Sequence, residues 1–216
     1  MIAINCSSNI PKINDKMSPA KCLDIMIEEE CFELPVFRDN QIYGTIQMED
    51  CMHTIKSTIE TLIIPGFVSI YYQAHIFEVL QVFKSSPRSV CAVLGDDLKW
   101  MGIITKQRLS DVLSQSLTIE QNGALLILEM SSLHYSSYEI SRIVEGEGSK
   151  VLGFWLHKNQ DSARIRVSIK LNTSNVERIV NGFDRFGYDI ISIFGDEDYN
   201  ENVKRKFQSF MKYLDD

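Results

Sequence analysis

An internal repeat constrains the fold of this chain more than any other feature of its sequence. Residues 10–51 and 64–109 each begin with Ile-Pro and continue into a predicted helix, a short apolar segment and a polar turn. Each copy closes on a glycine followed by aliphatic residues, in GTIQMEDC (44–51) and in GIITKQRL (102–109). The repeat predicts two similar β-α-β-β-α units, over residues ~10–60 and ~64–117.

The predicted helices carry apolar residues three or four positions apart, which is the spacing of one helical face. The two polar turns, RDNQ and GDDLK, have the Asn, Asp and Gly content of hairpin turns. His75 precedes the second apolar face and is interpreted as a surface residue of that helix. The predicted faces consist of Ala20, Leu23 and Ile27 in the first copy and Ile76, Leu80 and Phe83 in the second.

The hydrophobic pattern changes after a short polar stretch, TIEQN (118–122), which is interpreted as a linker. The segments that follow alternate between strand and helix patterns in the order β-α-β-β-α-β, which is that of a ferredoxin-like unit. The chain is therefore predicted to be of the α+β class, with paired repeats over residues ~1–120 and a second domain over residues ~121–196.

Residues 197–216 are predicted to form a C-terminal amphipathic helix. Val203, Phe207, Phe210 and Leu214 recur every three or four residues and would form one apolar stripe. Two interpretations stay open: the helix packs on its own domain, or it forms a dimer contact.

Charge and composition exclude several classes of partner. The chain has 216 residues and a net charge of -7, which argues against nucleic acid, because its binders need a basic face. No apolar run reaches the length of a membrane span, and the N-terminus does not resemble a signal peptide. Five cysteines without a C-x-x-C pair indicate reduced thiols and no zinc site. We therefore expect a cytoplasmic protein that binds neither membrane nor metal.

The two hairpins, Pro35 to Ile46 and Cys91 to Ile104, resemble the CBS domain, which occurs as a tandem pair. The C-terminal half resembles an ACT domain, a small regulatory module that often pairs its sheets. The combination is similar to CBS-ACT regulatory proteins of the acetoin-utilisation type. Both resemblances imply a homodimer with an unknown regulated partner, and the CBS pair implies an adenosyl ligand in a cleft between the repeats.

The CBS ligand element is G-h-h-[Ser/Thr]-x-x-Asp, in which the hydroxyl opens a helix near the phosphate and the carboxylate binds the ribose. Each copy here keeps half of it. The first has Gln47 at the hydroxyl position and Asp50 at the carboxylate position, whereas the second has Thr105 and Arg108. Since both groups must act from one helix turn, the site is either vacated or adapted, with Arg108 pairing with phosphate.

The resemblance therefore implies AMP, ADP, ATP or S-adenosylmethionine as candidate ligands. The flanking aliphatic residues would enclose the adenine. The alternative is that Thr105 serves as a helix cap and Asp50 favours its helix dipole. The candidate ligand-binding residues are Asp50, Ile46, Ile104, Thr105 and Arg108.

ACT domains that bind amino acids usually have an Asp-x-Pro-Gly-like loop after the first strand. This chain has SSLHYSSY (131–138) there, without proline or glycine. Ser131, Ser132 and His134 are candidate contacts for a polar ligand, although turn and cap roles also explain them.

No catalytic motif is present, and the four histidines are dispersed. The function predicted first is a non-catalytic regulatory protein that binds an adenine nucleotide and signals to a partner. The alternative is a structural dimerisation module with vacated sites. A small enzyme is the third interpretation, and it would need titratable groups that converge in one cleft.

Overall fold

The computed structural model describes residues 1–54, 57–158 and 163–195. The chain divides into two compact units, Met1–Ser114 and Gln115–Asp216. Both units combine helices with β-sheets, which confirms the predicted α+β class. The predicted C-terminal helix, 197–216, lies outside the described residues.

The first unit contains the order β-α-β-β-α twice, as the repeat predicts. In each copy the first strand pairs parallel to the second, which pairs antiparallel to the third. The first copy consists of β1 (Ile13–Asn14), α1 (Pro19–Glu28), β2 (Glu33–Arg38), β3 (Gln41–Gln47) and α2 (Met48–Met52). A short strand, β4 (Ile64–Pro65), follows it. The second copy consists of β5 (Ser69–Tyr71), α3 (Ile76–Ser85), β6 (Val90–Leu94), β7 (Trp100–Thr105) and α4 (Lys106–Ser114).

The segment that leads into each copy pairs with the other copy. Strand β4 precedes the second copy but pairs antiparallel with Gly44 and Thr45 of the first. Ser8 precedes the first copy but exchanges two backbone hydrogen bonds with Ile103 of the second, at 2.8 and 3.0 Å. The two copies are therefore interlocked through their leading segments.

The two glycines of the repeat permit this close approach. A Cβ on Gly44 would lie 2.5 Å from the carbonyl oxygen of Ile64, and a Cβ on Gly102 would overlap the carbonyl oxygen of Ser8. Ser8 and Ile64 are thus equivalent positions. The Ile-Pro dipeptides that open the sequence repeat are therefore not equivalent in the structure, because Ile10 follows Ser8 by two residues whereas Ile64 occupies the equivalent position itself.

The buried faces of the helices differ in part from those predicted. Ala20 and Ile27 are exposed, and α1 instead buries Pro19, Cys22, Ile25 and Met26. In α3, Ile76 and Phe83 are buried as predicted, but Val79 takes the place of Leu80. His75 is the N-cap of α3 rather than a residue within it: its Nδ1 accepts the Phe77 backbone N–H at 3.3 Å.

Each of the two hydrophobic cores of the first unit includes residues from outside its own copy. Val90 and Ile103 of the second copy belong to the core built around α1 and β2. Ala3 and Cys6, which precede the first copy, belong to the core built around α3 and β6. Neither copy completes its core alone.

The second unit is a four-stranded antiparallel sheet with the strand order β11-β8-β10-β9. Helices α6 and α7 supply Ile140, Ile143, Ile179 and Phe183 to its core. This is the ferredoxin-like order predicted from the sequence. The elements are α5 (Leu117–Glu120), β8 (Leu125–Ser131), α6 (Ser137–Gly146), β9 (Val151–Lys158), β10 (Arg164–Leu171), α7 (Glu177–Arg185) and β11 (Asp189–Phe194).

The predicted linker, residues 118–122, is partly helical. Thr118 of α5 donates from Oγ1 to the carbonyl oxygen of Leu152 at 3.1 Å, and its side chain contacts Gly153. Within the described ranges, no helix combines the length and the apolar character that crossing a lipid bilayer requires.

Candidate ligand-binding sites

Thr105 lies where β7 turns into α4, and its side chain is buried. Its Oγ1 accepts the backbone N–H of Arg108 at 3.0 Å. The hydroxyl therefore caps the first turn of α4, a role that contributes about 1 kcal/mol to a helix. The sequence allowed Thr105 to be either a helix cap or a ligand contact. In the structure its hydroxyl forms the helix cap.

Asp50 and Arg108 occupy equivalent positions in two different helices. Asp50 is half-buried in the first turn of α2, whose N-cap Gln47 makes no side-chain cap bond. Arg108 is exposed in α4 and lies near Cys6. Burial raises the pKa of the Cys6 thiol, and the positive charge of Arg108 opposes that rise. The structure thus brings Thr105 and Arg108 together but leaves Asp50 in the other copy.

Ile46 and Ile104, which were expected to enclose an adenine ring, are fully buried. Ile46 belongs to the core around α1, and Ile104 belongs to the core around α3. They alternate along their strands with Thr45 and Ile103, which face the other copy. Neither isoleucine therefore presents side-chain surface to a ligand.

A buried ion pair joins the two copies. The Glu33 carboxylate is only 3% exposed, and the Nη1 of Arg88 donates to its Oε1 at 2.8 Å. The same Nη1 donates to Oγ1 of Thr45 at 2.6 Å. The backbone N–H of Ser89 donates to the other carboxylate oxygen at 2.9 Å. Two residues of the first copy are thereby held by two residues of the second.

Arg88 also binds the connection between the copies. Its Nη2 donates to the carbonyl oxygens of Pro65 and Gly66, at 3.4 and 3.5 Å. Neither Arg88 nor Glu33 was identified from the sequence. The available signals were an acidic residue at the start of an apolar strand (ELPVF) and a single arginine before the equivalent strand (PRSVCAV).

Two adjoining clefts lie beside this ion pair, with volumes of about 440 and 490 Å³. Phe32, Met48 and Ser89 line both of them. The smaller cleft includes the start of α2, and the larger one includes the start of α4. The residues that line only one cleft include Glu33, Gln47, Glu49 and Met52 in the smaller and Ile27, Glu30, Thr105, Lys106 and Gln107 in the larger.

The two clefts are related by the internal repeat. Residues 47–49 in one correspond to residues 105–107 in the other, at the 58-residue offset of the glycines. Both are formed mainly by apolar surface, with Lys106 as the basic side chain of the larger one. Of the residues that the sequence predicted for a nucleotide site, Thr105 lines the larger cleft. Asp50 and Arg108 line neither cleft.

A separate groove of about 760 Å³ lies in the second unit, along the loop between β8 and α6. Two of the three residues predicted there, Ser131 and His134, line the groove, whereas Ser132 does not. Ser131 Oγ accepts the backbone N–H of Leu133 at 3.3 Å, and Ser136 Oγ caps α6 by accepting the N–H of Glu139 at 3.2 Å. Local turn and cap roles therefore account for both hydroxyls.

Side chains of both charges line this groove. The Tyr188 hydroxyl donates to Oε2 of Glu139 at 3.2 Å, and burial together with this bond raises the tyrosine pKa. The guanidinium of Arg142 lies 5.1 Å from the ring centre of Phe186. Such a surface suits a polar ligand that carries both charges, rather than an apolar one.

Among the described residues, no group of three or more His, Cys, Asp or Glu side chains is placed to hold a metal ion. Burial raises the pKa of Cys22 and Cys91 to about 12 and that of Cys31 and Cys51 to about 11. These cysteines are therefore protonated, weakly reactive thiols at neutral pH.

No family model and no curated protein matches this chain. Among solved structures, it is similar to protein MJ1004 from Methanocaldococcus jannaschii (14% identity, TM-score 0.49), over 55% of this chain and 62% of that one. It is also similar to a CBS domain pair/ACT domain protein from Thermotoga maritima (17% identity, TM-score 0.44), over 54% and 99% of the two chains. A third is CBSX2 in complex with AMP (16% identity, TM-score 0.45), over 53% and 96%. The chain thus spans less than two thirds of the first of these proteins.

Proposed function

We propose that this protein is a non-catalytic cytosolic regulatory protein whose paired repeats bind an adenine nucleotide. The observation that carries the proposal is the position of Ser89: it lines both clefts, and its N–H is bound to Glu33 of the other copy. The ligand class follows from the resemblance of GTIQMED and GIITKQR to the CBS ligand element.

The mechanism is differential binding. A ligand in either cleft contacts Phe32 and Met48 of the first copy and Ser89 of the second. Such a ligand binds more tightly to one arrangement of the two copies than to another, and it therefore shifts the population between them. A partner protein that recognises one arrangement would read out the ligand concentration.

Thermal unfolding in the presence of AMP, ADP, ATP or S-adenosylmethionine tests the proposal. A ligand at 100 times its Kd stabilises the native state by about 2.7 kcal/mol, so the midpoint of unfolding rises by several degrees. If none of the four raises the midpoint at millimolar concentration, the sensor function is excluded for adenine ligands.

Two matched variants locate the ligand. Lys106 lines the larger cleft, whereas Arg108 is an exposed cation of the same helix turn that lines neither cleft. Binding in the cleft predicts that Lys106→Ala weakens the nucleotide about tenfold or more, while Arg108→Ala changes its affinity little. The reverse result would place the nucleotide at the helix turn that the sequence resemblance implies.

The second candidate function is a structural dimerisation module. It is favoured by the burial of Ile46 and Ile104 and by the engagement of the Thr105 hydroxyl in a helix cap. Such a module would form a dimer in sedimentation experiments and would show no shift with any of the four ligands. A ligand-dependent shift argues for the sensor whatever the oligomeric state.

A further inference from the structure

The two clefts beside the ion pair share one apolar wall. Phe32 and Met48 line both clefts, and the Phe32 side chain is 69% exposed. Volumes of about 440 and 490 Å³ both fall in the range of small-molecule sites. Neither size nor the apolar wall therefore gives the two clefts different ligands.

The charged residues of the two clefts do differ. The larger cleft is lined by one residue of each sign, Lys106 and Glu30. The smaller cleft is lined by Glu33 and Glu49, and none of the described residues that line it is basic. Since Glu33 is already paired with Arg88, Glu49 is the charge that a ligand in the smaller cleft would meet. A ligand therefore finds a cation in the larger cleft and only carboxylates in the smaller one.

The internal repeat makes this difference a comparison of equivalent positions. Glu49 and Gln107 correspond at the 58-residue offset, and each lines only one cleft. The first turn of α2 contains two acidic residues, Glu49 and Asp50, whereas the first turn of α4 contains none. The same position in the repeat is thus acidic beside the smaller cleft and free of acidic residues beside the larger one.

The ammonium group of Lys106 is accessible to a ligand. Lys106 is exposed, and its Nζ lies 5.7 Å from the ring centre of Phe83. This distance is close to the limit of a cation–π contact, so the interaction with the ring is weak. The hydrogen-bond donors of the ammonium group remain available for a phosphate.

On the basis of the function inferred above, we propose that the two clefts select adenosyl ligands by charge. The larger cleft binds the phosphorylated ligands AMP, ADP or ATP, which pair with Lys106. The smaller cleft excludes them, because a phosphate beside Glu49 would be a repulsive contact. It binds an adenosyl ligand that carries positive charge, such as S-adenosylmethionine with its sulfonium and ammonium groups.

Isothermal titration calorimetry of the full-length chain, with AMP and separately with S-adenosylmethionine, tests this proposal. Lys106→Glu and Glu49→Lys each reverse a charge in one cleft. Glu60→Lys is the control, because Glu60 is exposed and lines neither cleft, and the substitution changes the net charge as Glu49→Lys does. Circular dichroism of each variant establishes that the chain remains folded.

Selection by charge predicts opposite responses of the two ligands. Lys106→Glu should weaken AMP roughly tenfold or more and change the affinity for S-adenosylmethionine by less than about twofold. Glu49→Lys should weaken S-adenosylmethionine roughly fivefold without weakening AMP. Glu60→Lys should change either affinity by less than about twofold, because charges in solvent are screened beyond roughly 8 Å.

Several results would overturn the proposal. One variant that weakens both ligands would show a common site, and affinities that respond to neither cleft variant, or as strongly to Glu60→Lys, would show that the clefts do not select by charge. Binding of AMP but not of S-adenosylmethionine by the unmodified chain would remove the assignment of the smaller cleft. The function proposed above survives each of these results, and it fails together with this proposal if no adenine ligand binds.

Discussion

The buried contact between Glu33 and Arg88 joins the two copies of the first unit. The residues are 55 positions apart in sequence; Glu33 begins β2, and Arg88 lies two residues before β6. A buried pair of this kind costs much of its attraction in desolvation, but removing one partner leaves an uncompensated charge. Thr45 accepts a hydrogen bond from Arg88, and the N–H of Ser89 donates one to Glu33. Because these bonds form only when the copies pack in this way, the ion pair is specific for this arrangement.

Arg88→Ala should lower the free energy of unfolding by about 3 kcal/mol, because the buried Glu33 carboxylate loses its partner. Urea denaturation measures the change. Arg38→Ala, which removes the exposed pair with Asp15, is the matched control and should cost about 1 kcal/mol or less. The double variant Glu33→Leu and Arg88→Met should recover most of the loss. If Arg88→Ala lowers the free energy of unfolding no more than Arg38→Ala does, the buried pair does not stabilise the contact between the copies.

The sequence indicates the roles of residues whose partners are a few positions away, but it does not indicate contacts between residues far apart in the chain. The cap role of Thr105 was recognisable because its partner, Arg108, is three residues away. The Glu33–Arg88 pair was not, because nothing in either local sequence specifies the other residue. The burial of Ile46 and Ile104 could not be predicted for a related reason: alternation in a strand does not say which face meets the helix and which meets the other copy.

At the scale of elements, the interlocking of the leading segments with the opposite copies defines the first unit. It explains why a glycine recurs at the same place in both copies, since each one faces a carbonyl oxygen of a crossing segment. Gly102 has in addition a φ of +140°, which other residues rarely adopt. The duplicated glycine was the strongest sequence signal for the repeat, and this packing is its physical cause.

Gly102→Ala should destabilise the protein by more than about 2 kcal/mol, through overlap with Ser8 and backbone strain. Gly146→Ala is the control: it ends α6, no atom lies near the added methyl, and alanine favours the helix by up to about 1 kcal/mol. Thermal unfolding of both variants distinguishes the effects. An unchanged or raised midpoint for Gly102→Ala would show that Ser8 does not pass over this strand.

The order of elements was predictable because it follows from local patterns: apolar spacing, turn residues and caps. The buried faces of the helices were less predictable. The helix α1 offers Cys22, Ile25 and Met26 as well as Leu23 and Ile27, and both sets have helical spacing. Which set is buried depends on the strands that pack against the helix, and the sequence of the helix does not contain that information.

At the scale of the whole molecule, two units with separate cores follow one another in the chain. The first unit carries the clefts beside the ion pair, and the second carries the polar groove along residues 131–136. This division was predictable from the change in hydrophobic pattern. Helix α5 was not, because four residues are too few to show a periodicity.

Stability should fall as the pH rises above about 9. The ordinary pKa of a cysteine thiol is about 9, and burial raises the pKa of Cys22 and Cys91 to about 12. Between these values the folded state keeps protons that the unfolded state releases. Each such thiol therefore removes up to about 1.4 kcal/mol of stability per pH unit.

Urea denaturation at pH 8 and pH 10 measures this dependence. Cys91→Ala lacks one of the thiols and should lose less stability between the two pH values than the parent. An identical loss in parent and variant would show that Cys91 does not contribute.

The proposed ligand binds where the two copies meet and changes both of them. Hydrogen–deuterium exchange of the full chain, with and without the nucleotide that gives the largest thermal shift, tests this mode of binding. We predict slower exchange in peptides from both copies, around Phe32 to Met48 and around Ser89 to Gln107. Protection confined to one copy, or unchanged exchange in both at a saturating nucleotide concentration, would contradict the claim.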